Sequence, residues 1–304
     1  MKTKTDTYQI VTDRIIAKLE AGTIPWKHFA SSPLAEPKNL VSKKAYRGIN
    51  RLLLSGTNYN SEFWLTYKQA QDLGGNVKHG EKSEMVVFWK FLDVEDKDAQ
   101  PGEISSKAKQ IPFLRHYSLF NVQQCEGIDY AKLAEQTPCE SDPIESAEAI
   151  VTGMPNRPRL VIDQTPKAYY SPTEDFVHMT ERSACVSDSA FYSTLLHEHI
   201  HATGHASRLS RFHQDGCNHH FGSKSYACEE LVAEMGAAFL MSECSLFQDS
   251  EENTAAYIAS WLLKLTNDNK LVVHAAGKAQ KACDFILNSR AEQHSKPQAQ
   301  LVAA

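Results

Sequence analysis

His197-Glu198-His199-Ile200-His201 puts two imidazoles one helical turn apart with a carboxylate beside the first. Residues i and i+4 of an α-helix share a face, so His197 and His201 would hold one metal ion while Glu198 reaches a water on it. The flanks favour a helix here. Ser187 or Asp188 is placed to cap its start, Phe191, Leu195 and Ala202 recur at apolar helical spacing, and Gly204 supplies a stop. A five-residue motif of common amino acids also turns up by chance in a chain with 13 His, so the rest of the metal shell has to be found downstream.

A catalytic zinc needs a third protein ligand and an open position. The extended pattern HExxHxxGxxH fails: Gly204 matches its glycine, but Ser207 stands where its last histidine would be. His205 lies one turn beyond His201, past the expected helix end. The better source is Tyr226 to Leu240, a second helical pattern with an apolar stripe at Leu231, Met235, Ala238 and Phe239. Glu230 and Glu234 lie one turn apart on it, which suits one as ligand, Glu230 first, and the other as acceptor for a ligand imidazole N–H. A solvated helix face is the ordinary use of such a pair.

The spacing resembles the gluzincin-like metallopeptidases, in which a glutamate ligand is followed four residues later by an acidic or amide side chain. That resemblance implies zinc on His197, His201 and Glu230, Glu234 in support, and Glu198 as general base. Such a zinc lowers the pKa of its water toward roughly 7 and polarises a carbonyl. Mn2+ or Fe2+ would compete for the same donors. His205 and Tyr226 are the candidates for a second electrophile.

The first part of the chain reads differently. Residues 1–125 carry 18 Lys and Arg against 13 Asp and Glu, leaving 14 against 24 for the remainder. The excess is modest, but its cations alternate with flat rings: Trp26, Lys43, Lys44, Tyr46, Arg47, Asn50, Arg51, Trp64, Tyr67 and Lys68 form the expected DNA-binding set. Rings stack on unpaired bases while Lys and Arg follow the phosphates. Aromatic residues are ordinarily core, and at least half of these rings are expected to be buried.

The order of segments carries a further resemblance. An amphipathic opening helix (Ile10, Ile15, Ile16, Leu19) leads to Gly22-Thr-Ile-Pro25-Trp26, Pro37-Lys-Asn39, Tyr46-Arg47-Gly48-Ile49-Asn50, Trp64-Leu-Thr66-Tyr67, Gly74-Gly75 through Gly80-Glu-Lys82, and Val86-Val87-Phe88-Trp89. Together these resemble the N-terminal domain of the ArdC family of plasmid antirestriction proteins, shared with the N-terminal region of TraC-type primases. The resemblance implies a single-stranded-DNA-binding domain followed by a zincin-like domain. It also implies a protein of a mobile element, plasmid or phage, that protects incoming DNA from host restriction, with a host restriction enzyme or another protein as substrate. The glycines from Gly74 to Gly80 match no phosphate-loop pattern and read as turns.

The expected fold class is α+β: a mixed α/β DNA-binding domain over 1–128, a linker over 129–158, a zincin-like metallopeptidase domain over 159–292 and a flexible tail over 293–304. With 304 residues, 42% of them hydrophobic, the chain would bury one large or two medium cores. Two suit the motif map. Glu, Ser, Pro, Asp and Thr crowd the stretch Glu135 to Pro143, and strand patterns resume at Leu160–Ile162, Tyr169–Tyr170 and Phe176–Val177. Helical spacing returns over 255–265 and 275–287. Seven Cys with no CxxC pair argue against a disulfide scaffold or a cysteine zinc site. The N-terminus lacks a signal-peptide core and no apolar run approaches roughly 18 residues, so a cytoplasmic protein without a membrane partner is expected. Two other functions fit the same residues: an intracellular metallopeptidase unrelated to DNA, and a single-strand-binding protein whose metal is structural.

Overall fold

The computed structural model describes residues 6–30, 36–55, 57, 59–94, 109–130, 142–213, 224–246 and 255–288. The expected tail, and the Pro/Glu-rich stretch up to residue 141, lie outside them. The N-terminal half opens with α1 (Thr7–Glu20), capped by Asp6 accepting from the Tyr8 N–H at 3.0 Å, and α2 (Pro25–Ala30). It continues with β1 (Lys38–Asn39), α3 (Ile49–Ser55), β2 (Phe63–Leu65), α4 (Tyr67–Asp72), β3 (Asn76–Val77), the long β4 (Glu84–Val94) and β5 (Lys109–Asn121), and β6 (Cys125–Glu126). Four strands form a sheet in the order β1-β2-β5-β4, with only β1 and β2 parallel, while β3 pairs with β6. Gly74 and Gly80, at φ +80° and +86°, make the turns around β3.

The C-terminal half runs α5 (Pro143–Gly153), β7 (Arg159–Asp163), β8 (Tyr169–Ser171), β9 (Phe176–Thr180), α6 (Asp188–Ala202), α7 (Lys224–Glu243), α8 (Ala255–Asn267) and α9 (Leu271–Ile286). Its sheet has the order β7-β9-β8, β7 parallel to β9 and β8 antiparallel at the edge. From Leu231 to Met241 every residue of α7 except Glu234 is buried. A helix apolar on all sides has to sit inside the molecule, and α7 lies between α6 and α9 with α2 against it.

The segment 129–158 is not simply a linker. Among its described residues α5 forms a capped helix, Asp142 accepting from the Ile144 and Glu145 N–H groups, and Ala147 and Val151 enter the main core. Nor do the two halves keep separate interiors. One apolar cluster joins Val11, Ile15, Leu19, Trp26 and Leu52 to Phe191, Leu196, Met235, Phe239, Trp261 and Ala279, and two smaller clusters belong to the N-terminal half.

This shared core corrects the expected DNA-binding set. Trp26 is fully buried, edge-on to Trp261 at 5.7 Å, and its indole N–H donates to the Tyr257 hydroxyl at 3.4 Å. Arg51 is buried over the Phe239 ring and pairs with Glu36 and Glu243. Asn50 exchanges two 2.8 Å hydrogen bonds with the Val87 backbone, as a neighbouring strand would. Trp64 is buried in β2, and Tyr46, whose hydroxyl accepts from Asn39, is held in the N-terminal sheet, where burial pushes its phenol up to about 12. Arg47 pairs with Asp284 of α9. Of the set, Lys43, Lys44, Tyr67 and Lys68 remain wholly or largely accessible.

Candidate metal centre

α6 starts where Ser187 accepts a hydrogen bond from the Ala190 N–H at 3.1 Å. It ends at Ala202 with Thr203 as cap, so Gly204 stands at the first position past the cap, where a stop glycine is expected. Gly204 is also needed for packing: a Cβ there would stand 2.6 Å from the Phe212 ring. Gly236 of α7 serves the crossing of the two helices, since a Cβ would meet the Ile200 side chain at 2.6 Å. Backbones that approach this closely bring the HExxH face of α6 onto the acidic face of α7.

The His197 and His201 Nε2 atoms lie 3.1 Å apart, and the Glu230 carboxylate oxygens stand 3.7 Å from the first and 3.6 Å from the second. One donor atom from each residue falls within 4.8 Å of the others. Donors at about 2.0–2.1 Å from a tetrahedral ion are spaced on this scale, and two imidazole nitrogens with one carboxylate oxygen suit a divalent transition metal. The donor set therefore fits a metal of this class.

Glu198 is buried beside these donors, and burial, followed by the Glu230 charge, raises its carboxyl against the lowering effects of His201 and the Tyr170 backbone N–H. Burial, with His201 opposite, depresses His197 to about 3. Burial acts downward on His201 too, but the hydrogen bond and charge of Glu229 outweigh it and raise that imidazole. Glu229 is held at about 2: desolvation would raise it, and His201 and Arg211 overcome that. Tyr226, one turn before Glu230, hydrogen-bonds to that carboxylate.

The structure reassigns one supporting residue. Glu229, not Glu234, faces His201, with its Oε1 3.4 Å from Nδ1. Glu234, a turn further along α7, interacts with Tyr257 and lines a cleft of about 330 Å3 with Lys27, Ala168, Ser193, His197 and Glu198. Helical spacing alone made Glu234 eligible; a clue to Glu229 lay in Arg211, whose partner only the fold reveals. His205 turns away, Nδ1 2.8 Å from Ser207 Oγ and 4.0 Å from Asp175. Beside it, Arg208 donates to the Ala202 carbonyl at 2.6 Å and to the Tyr170 hydroxyl at 3.0 Å, and pairs with Asp175, fastening edge strand β8 to the end of α6.

An HExxH helix, a glutamate-bearing helix across from it and a small sheet whose edge strand β8 lies beside the HExxH helix define a zincin-like protein, and residues 145–278 match the family of zincin-like metallopeptidases. Residues 5–120 match the N-terminal domain of the anti-restriction factor ArdC. The chain is 38% identical over 299 residues to the uncharacterized protein y4eC of Sinorhizobium fredii, covering 94% of this chain and 92% of that protein. It is 32% identical over 294 residues to the DNA primase TraC of Escherichia coli, covering 92% of this chain but only 27% of the primase. Crystal structures of the antirestriction ArdC protein from plasmid R388 superpose with TM-score 0.73 metal-free (38% identity, 93% of this chain and 97% of that one) and 0.71 with Mn(II) bound (37%, 95% and 100%). The chain belongs to the ArdC antirestriction family.

Proposed function

We propose that this chain is an antirestriction protein of a mobile element whose N-terminal half binds single-stranded DNA and whose α6–α7 site is a zinc-dependent peptidase centre, the two together protecting incoming DNA from host restriction. The observation that carries the hydrolytic half is the convergence of His197 Nε2, His201 Nε2 and the Glu230 carboxylate beside buried Glu198. A structural metal needs no further carboxylate beside its ligands and no open cleft, whereas this site has Glu198 and a cleft. His197, His201 and Glu230 would hold the ion. Bound there, it would act as a Lewis acid on a carbonyl and make water a nucleophile near neutral pH. Glu198, its carboxyl raised by burial, is suited to take a proton and return it to a leaving amine. Edge strand β8 runs beside Glu198, which accepts from its Tyr170 N–H, and is placed to offer main-chain groups to an extended polypeptide.

The DNA half is supported by the ArdC-type match and by a surface on β4 and β5 outside the expected DNA-binding set. The β4–β5 register pairs Val86 with Tyr117, Phe88 with Arg115 and Lys90 with Phe113, so Phe88, Lys90, Arg115 and Tyr117 share one face. Phe88 and Tyr117 meet edge-on at 5.6 Å and are only partly buried, and Arg115 is exposed. Rings and cations so arranged suit stacked bases and phosphates.

The test joins three assays on the purified protein and its Glu198→Gln variant: bound metal, retardation of single- against double-stranded oligonucleotides at rising salt, and protection of DNA transferred into a restricting host. Glu198→Gln should keep metal and single-strand binding while losing protection. Full protection by the variant would remove peptide-bond cleavage from the function, and absence of salt-sensitive single-strand binding would remove the DNA half.

A further inference from the structure

Arg211 stands ten residues beyond His201, outside any metal-ligand motif, yet its side chain is only 6% exposed. Burying a guanidinium is costly unless its donors are matched. Here they are: Nε and Nη2 donate to the two Glu229 oxygens at 3.1 and 2.5 Å, Nη2 also to the Ile200 carbonyl at 2.9 Å, and Nη1 to Thr203 Oγ1 at 2.5 Å. The bidentate grip leaves Glu229 one direction in which to face the site, and its Oε1 lies 3.4 Å from His201 Nδ1. A carboxylate only accepts, so Nδ1 carries a proton, and in the neutral imidazole the Nε2 lone pair then points toward His197 and Glu230.

The chain delivers Arg211 to this position through its own packing. After α6 the backbone doubles back, with Leu209 N–H on the Thr203 carbonyl at 2.9 Å, and ends in a short turn over Arg211–His213. Phe212 of that turn lies against Gly204, where any larger residue would displace it.

We propose that Arg211 is a positioning residue for the metal centre: by clamping Glu229 it fixes His201 in the Nδ1–H form, with Nε2 presented to the cation. This rests on the metal reading above. Arg211 also ties the end of α6 to the following loop, and a merely structural clip would do that much without affecting metal affinity.

The experiment measures Zn2+ affinity of the full-length chain by competition with a chromophoric chelator, for wild type, Arg211→Met, Arg211→Lys, Glu229→Gln, the Arg211→Met/Glu229→Gln double variant and His201→Ala. Loss of an outer partner of a ligand histidine weakens metal binding by about 10–100-fold. Glu229→Gln and Arg211→Met should each show a loss of that order, and the double variant should bind no more weakly than the worse single one. Arg211→Lys, which keeps the charge but not the fork, should fall between. In metal-free protein, two-bond 1H–15N spectra of the histidine rings should show the His201 proton on Nδ1 in wild type and redistributed in Glu229→Gln, an isosteric change that tests the idea even if Arg211→Met folds poorly. Arg211→Met with a lower melting temperature but wild-type Zn2+ affinity, or losses that multiply in the double variant, would overturn the proposal. Equal Zn2+ binding by wild type and His201→Ala would instead overturn the metal reading itself.

Discussion

At the scale of single residues the centre is governed by charge. Glu198 and Glu229, both buried, and Glu230, partly exposed, surround two imidazoles, and this donor set suits a cation. Removing one of two imidazole ligands should empty it: His201→Ala is expected to carry far less than one equivalent of metal by elemental analysis, against near-stoichiometric wild type. Asp175 offers a pH test away from the ligands. Burial raises its carboxyl, but the hydrogen bonds of Arg208 and Tyr170 outweigh that and hold it below the usual range. A depressed carboxyl contributes stability above its unfolded pKa of about 3.9, and loses it as pH falls through the folded value. Asp175→Asn should therefore lower the melting temperature at pH 7 and have a progressively smaller effect below about pH 4.

At the scale of elements the site depends on two helices meeting closely. Gly236→Ala would drive a methyl into Ile200 and cost about 1–3 kcal/mol by overpacking, read as a lower melting temperature. Adding Ile200→Val should restore part of the loss, because it removes the methyl nearest the clash. The β4–β5 face makes a separate prediction. Lys90→Glu with Arg115→Glu should weaken single-strand binding and flatten its salt dependence, whereas neutralising exposed Lys281 of α9 should change it little. Equal losses from both would assign the binding to diffuse charge.

At the scale of the molecule the two halves share an interior. Trp26 rests on Trp261, Thr12 Oγ1 donates to the Asn269 carbonyl at 2.7 Å, and the Gly48 N–H donates to Gln280 at 3.0 Å. Cutting at residue 128 would expose Val11, Ile15, Leu19 and Trp26 to water. The full chain should melt in one cooperative transition followed alike by tryptophan fluorescence and far-ultraviolet circular dichroism. The isolated 1–128 segment should bind a hydrophobic dye and melt broadly. Two resolved transitions in the intact chain would show that the halves unfold independently. No described helix is long and apolar enough to cross a membrane.

Periodicity, capping and short motifs determined the local structure on their own, because a helix or strand is written by neighbours within about a turn. From the sequence come α1, the HExxH helix capped at Ser187 or Asp188, the helix bearing Glu230 and the strands before them. What lies across space was not legible. Trp26, Asn50, Arg51 and Trp64 have the composition of a DNA-binding face, yet their side chains fill the interior, because a ring that stacks on a base packs equally well on Trp261 or Tyr59. Likewise helical spacing puts Glu234 on the face of Glu230 and gives no reason to choose its immediate neighbour Glu229. Only the tertiary fold, which carries Arg211 back to α7 and turns Glu234 toward Tyr257, decides between them, since the choice depends on contacts between residues far apart in the chain.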